Sequence, residues 1–155
     1  MPLTIDEQKA QEKGRVAGLR LVLLSLRLME NWKHSVDDYD RAMILISVAA
    51  ISAERLLRSA DGPYKSLSEV IPAEQLARCN VSSIASATGL NRETTRRKVE
   101  GLISQGLLVR MDDGSLTFAS GIMQRDATFA LMRKQLEVIM KTANDLMRDD
   151  IFKVA

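Results

Sequence analysis

The stretch VSSIASATGLNRETTRRKVEGLISQGLLVRMDDGSLTFA, residues 81–119, constrains this chain more than any other part. VSSIASAT predicts a short helix with Ile84 and Ala85 turned inward, Ala85 small enough for a second helix to cross close by. Gly89 follows where the chain needs a positive φ at no steric cost, and Leu90 fills the angle between the two helices. Asn91 is a natural N-cap, with Glu93 and Thr94 in the first turn behind it. Sorted at about 100° per residue, Thr95, Val99, Leu102 and Gly106 share one face of a helix over 92–105. Ile103 and the stem of Lys98 sit at its edges. Glu93, Arg96, Arg97, Glu100 and Ser104 lie opposite, and Arg92 sits at the open first turn. Leu107-Leu108-Val109, the turn pair Asp113-Gly114 and Leu116-Thr117-Phe118 then predict a β-hairpin. Val81 and its neighbours could add a short third strand. Helix, glycine turn, helix and hairpin in one register predict a winged helix-turn-helix core over 80–120.

The flanks predict helices. Residues 1–14 form a polar tail or a weak first turn. Over 15–33, apolar positions 16, 19, 22, 23, 26 and 29 make a helical stripe. Leu21, Leu24 and Leu28 widen it until only a strip near Arg20 and Arg27 stays polar. Such a helix requires cover on more than one side, from its own fold or from a second subunit. Asp37, Asp38 and Asp40 suit the start of a second helix, with AMILISVAAI at its centre and a stop at Asp61-Gly62-Pro63. Residues 15–60 are therefore the N-terminal helices. Residues 61–79 are a connector in which Pro72 opens a short helix, AEQLARC. Residues 121–155 carry the last helix. Its positions Phe129, Met132, Leu136, Ile139, Ala143 and Leu146 form a seam. That seam faces either its own domain or a second copy of the chain. The fold class expected is mainly α with a small β-hairpin wing.

Composition narrows the function. The 155 residues carry a formal charge of +2, with 46% hydrophobic and 27% charged side chains, values of an ordinary folded domain. Placement says more than the total. Residues 78–110 hold six basic and two acidic side chains, whereas the hairpin tip holds only Asp112 and Asp113. The charge therefore favours DNA at the helix 92–105 and leaves Arg110 as the only cation of the wing. The start, MPLTIDEQKAQEKGR, lacks the basic-then-apolar pattern of a secretory leader. No apolar run approaches the ~20 residues of a membrane span. A cytoplasmic protein without membrane contact is expected. One cysteine and one histidine, Cys79 and His34, cannot supply a zinc site of that ligand type. Cys79 reads as a buried small hydrophobe, with a redox switch as the alternative. His34 reads as a surface residue, with pH sensing or helix capping as the alternative. No nucleophile with a base, phosphate loop or paired carboxylate forms a catalytic constellation, so neither an enzyme nor a cofactor is expected.

The 81–119 stretch resembles the DNA-binding cores of bacterial winged-helix regulators. With two helices before it and a long helix after it, the layout resembles the MarR family. The resemblance implies a homodimer joined through its terminal helices, here 15–33 and 122–148, and double-stranded DNA as partner. It places the helix 92–105 in the major groove and the wing near the minor groove or backbone. Arg92, Glu93, Arg96 and Arg97 become candidate groove contacts. Asn91, Thr94 and Lys98 become candidate phosphate contacts, and Arg110 the contact at the wing base. A small-molecule effector is a further candidate partner, and the eight methionines could line its pocket. The alternative is a winged-helix protein-interaction module that does not read DNA.

Overall fold

A computed structural model describes residues 1–58 and 66–155. Among them are six α-helices and two separate pairs of short antiparallel strands. The chain divides into two compact units, residues 33–129 and residues 1–32 with 130–155. The stop expected at Asp61-Gly62-Pro63 lies outside the described residues.

The 33–129 unit is built on α3, Tyr39–Arg58. Asp37 breaks the chain before it with a φ of 57°, a conformation that a short polar side chain tolerates. The carboxylate of Asp38 then accepts from the Arg41 amide at 3.0 Å and caps the first turn. Ala42, Ile44, Leu45 and Val48 are buried, as an apolar central helix requires. α3 packs on α4 (Val81–Thr88) and α5 (Arg92–Ser104). Ile84, Val99 and Leu102 complete the core with Leu108 and Leu116. Gly101 sits in mid-helix, where glycine costs about 1 kcal/mol relative to alanine. A Cβ there would come within 2.9 Å of the Arg41 guanidinium, so α5 approaches the Arg41 side chain closely at this point.

β2, Leu108–Arg110, pairs with β3, Leu116–Phe118, to form the expected hairpin. Gly114 turns it with a φ of 79°. The third strand is a single bridge at Cys79 rather than at Val81: Cys79 and Leu116 exchange both backbone hydrogen bonds, at 3.0 and 2.8 Å. That bridge overrides the helix expected over AEQLARC. Extended backbone is needed at its end, and only a 3-10 turn, Ala73–Gln75, forms.

In the other unit the expected polar tail is paired structure. β1, Leu3–Ile5, lies antiparallel to β4, Phe152–Val154, with Leu3 opposite Val154. Asp6 caps α1, Glu7–Glu12, and its carboxylate also receives Lys153 at 3.0 Å. α2 (Gly14–Val36) and α6 (Asp126–Arg148) run antiparallel within this unit. At one end Arg20 pairs with Asp145 and Asp149 at 3.0 and 2.6 Å. At the other, Gln135 donates to the carbonyl of Leu28. Leu131, Thr142, Leu146 and Ile151 are buried here, but no residue of α2 from 14 to 32 is.

Candidate functional site

Two reciprocal devices set the pair α4–α5. Asn80 Oδ1 accepts from the Ser83 amide at 2.9 Å while Ser83 Oγ accepts from the Asn80 amide at 3.0 Å, a closed capping box. Gly89 ends α4 in the left-handed region, φ 71°, with its amide donating to the Ala85 carbonyl at 2.9 Å. Two residues later Asn91 Oδ1 accepts from the Glu93 amide at 2.8 Å and starts α5. Thr95, Val99 and Leu102 are fully buried on one face of α5. Their opposites, Glu93, Arg96, Arg97, Glu100 and Ser104, are exposed, as are Asn91 and Arg92.

The side chains named from the sequence separate into three states. Arg92 and Arg97 are exposed and make no hydrogen bond or ion pair among the described residues. Arg96 grips Glu93 with two hydrogen bonds, 3.0 Å from Nε and 2.6 Å from Nη2. These bonds hold the Glu93 carboxyl below its ordinary range and raise the Arg96 guanidinium. Arg110 reaches from β2 to the Glu100 carboxylate on α5 and also donates to the Gly114 carbonyl. Arg92, Arg96, Glu93, Glu100 and Arg110 thus border one open groove between the start of α5 and the hairpin. Thr94 is half-buried in the first turn of α5. Lys98 points the other way, to Asp38 and Asp40 at the start of α3, and only 19% of its side chain is exposed.

One participant was missed by sequence reasoning. Arg78 donates to Asp113 at 2.8 Å, tying the strand before α4 to the hairpin tip. Asp113 also accepts from the hydroxyl and amide of Ser115, and these bonds with Arg78 lower its carboxyl to about 2. No local pattern links positions 78 and 113; only the hairpin brings them together. Of the six cations in 78–110, four are therefore engaged by carboxylates of the same unit. The electrostatic surplus read from the sequence resides on Arg92 and Arg97.

Cys79 is buried, and burial pushes its thiol up from the ordinary range. Among the described residues no group of three His, Cys, Asp or Glu side chains could hold a metal ion. No described helix is long and apolar enough to cross a membrane. Compared with protein families, with curated proteins and with solved structures, the chain shows no match.

Proposed function

We propose that this chain is a sequence-specific DNA-binding transcriptional regulator of the MarR type, a cytoplasmic homodimer whose winged helix-turn-helix reads a pseudo-palindromic site. The carrying observation is the start of α5. Arg92, Arg96 and Arg97 are exposed there above a face fully buried through Thr95, Val99 and Leu102. On a recognition helix the N-terminal outward residues reach base edges in the major groove, and arginine can take guanine O6 and N7 together. Arg96 and Arg110 must exchange Glu93 and Glu100 for DNA. Exposed ion pairs of that kind are worth about 0–1 kcal/mol, so they are readily given up. Lys98 serves this reading by anchoring α5 to α3 rather than by meeting a phosphate.

A second copy is the partner proposed for the unit of residues 1–32 and 130–155. Val16, Leu19, Val22, Leu23 and Leu26 on α2 and Leu136, Ile139 and Met140 on α6 are all exposed. Monomers rarely leave contiguous apolar surface of that kind open. A two-fold partner buries the same patch on both chains and would present two α5 helices about 34–36 Å apart, one DNA turn.

The test is a gel shift with genomic fragments across a salt series. Retained fragments are expected, with affinity falling steeply as salt rises. The double variant Arg96→Ala, Arg97→Ala should lose that retention, and unchanged affinity would reject α5 as the reading helix. The internal pairing of four cations and the acidic tip at Asp112 favour one other reading, a protein-interaction module. No retained fragment even at low salt would point to it.

A further inference from the structure

Glu93 is the one carboxylate in the first two turns of α5, a stretch that otherwise holds Arg92, Arg96, Arg97 and Lys98. Its side chain is 72% exposed, so it fills no space in the core. The Asn91 cap bonds its amide, and its carboxylate accepts from Arg96 at 3.0 and 2.6 Å. The helix dipole favours an acid anywhere in the first turn. On the outward face, that acid also has to enter a DNA groove together with the arginines.

Reading DNA with Arg96 frees this carboxylate beside a duplex that carries about one negative charge per 1.7 Å of its axis. A charged group that loses its water and its partner together is strongly penalised. The major groove offers one good remedy. Guanine presents two acceptors, thymine an acceptor and a methyl group, and adenine an amino group beside the acceptor N7. Only cytosine presents an amino donor, at N4, with no acceptor next to it. Glu93 and Arg96 stand three residues apart on one face, where Cβ atoms are about 5–6 Å from each other. That distance covers one to two base-pair steps of about 3.4 Å.

We propose that Glu93 is a specificity-determining residue that accepts from cytosine N4, within two steps of the guanine that Arg96 reads. The proposal rests on the DNA-binding reading of α5 and adds the bases that the helix selects. Thymine or guanine in place of the cytosine is rejected, because an acceptor then faces the carboxylate.

Selection of bound duplexes from a random pool by the full chain, followed by sequencing, tests it. The parent should enrich half-sites with a cytosine no more than two steps from a guanine. Exchanging that cytosine for thymine should weaken parental binding about tenfold or more. Glu93→Ala should bind the cytosine and thymine duplexes within about twofold of each other. Glu93→Gln should move the preference at that position to adenine, whose N6 and N7 an amide matches. Arg96→Ala should lose the guanine preference and keep the cytosine. Glu93→Gln preserves the side-chain shape and decides alone should Glu93→Ala fail to fold. A parent that enriches no site even at low salt would overturn the DNA-binding reading and this proposal with it. A site enriched by the parent and selected with the same bases by both Glu93 variants would overturn the role of Glu93 alone. Loss of selectivity only at the guanine would do the same, since Glu93 would then serve merely to hold Arg96.

Discussion

Asp38 and Lys98 are sixty residues apart in the chain, yet their ion pair joins the first turn of α3 to the middle of α5. Burial by itself raises the Asp38 carboxyl, but the Lys98 bond and the Arg41 and Asp40 amides outweigh it, and the net shift is downward. A carboxyl depressed in the folded state contributes stability that is full above its unfolded value, about 4, and lost as pH falls through the folded value. Asp38→Asn should therefore cost about 1–2 kcal/mol at pH 7 in urea melts. The gap to the parent should shrink between pH 4 and 2; a gap of constant size across that range would refute the assignment. In the proposed DNA-binding reading, the neighbouring pair Arg97 and Lys98 divides two duties on α5, DNA contact and anchoring to α3. Arg97→Ala should change stability by less than about 0.5 kcal/mol but weaken cognate DNA about tenfold or more. Lys98→Ala should show the opposite pattern, and a Lys98 variant of parental stability would restore it to the list of phosphate contacts. Cys79 gives a third measurement. Its buried, upshifted thiol should react with a disulfide reagent only slowly in the native protein and at the ordinary thiol rate in urea. Rapid labelling of the folded chain would revive a redox role.

At the scale of elements, α5 depends on its cap. Asn91→Ala removes the acceptor of the Glu93 amide and should cost about 1 kcal/mol in a thermal or urea melt. DNA affinity should fall further than stability alone accounts for, because Arg92 and Glu93 occupy the turn that frays. If the melt is unmoved, the cap is not what starts this helix. α5 was legible because its buried positions Thr95, Val99 and Leu102 recur at helical spacing between Asn91 and Gly106. The hairpin was legible because a turn pair, Asp113-Gly114, separates two β-prone runs. Two elements were not. AEQLARC has helical composition, but Cys79 bridges to Leu116, a contact thirty-seven residues away that no local pattern contains. β1 is only three residues long and finds its partner at the opposite end of the chain, too short to show a period and too distant to be paired by a turn. The site was illegible for the same reason. The residues Arg96 and Arg110 were identifiable, but their carboxylate partners were not. Local charge counting therefore overstated how many cations α5 and the hairpin leave unengaged.

Across the whole molecule the apolar surplus is concentrated in one unit. The faces of α2 and α6 within residues 1–32 and 130–155 expose Leu19, Val22 and Leu136, each more than 60% accessible. The sequence contained this conflict already, in a helix apolar around most of its surface and a seam with two candidate partners. In the structure the seam positions Phe129, Leu136 and Ile139 are exposed, Met132 and Ala143 are half-buried, and Leu146 is buried with Leu131 and Thr142. α6 thus buries part of its seam in the single chain and leaves Phe129, Leu136 and Ile139 on the surface, where the proposed second copy would cover them. Leu19→Glu and Leu136→Glu are chosen because both side chains already contact solvent in the single chain, so the substitutions should leave the melt of the monomer nearly unchanged. In sedimentation velocity at micromolar concentration the parent should run as a dimer and either variant as a monomer. Binding to a two-half-site fragment should then fall by about 100-fold or more, because the second half-site contact is no longer intramolecular. Binding to an isolated half-site should stay level, since Arg92 and Arg97 are untouched. A parent that sediments as a monomer would remove the dimer while leaving the reading helix in place. Variants that lose half-site binding as well would show instead that the substituted faces maintain the fold.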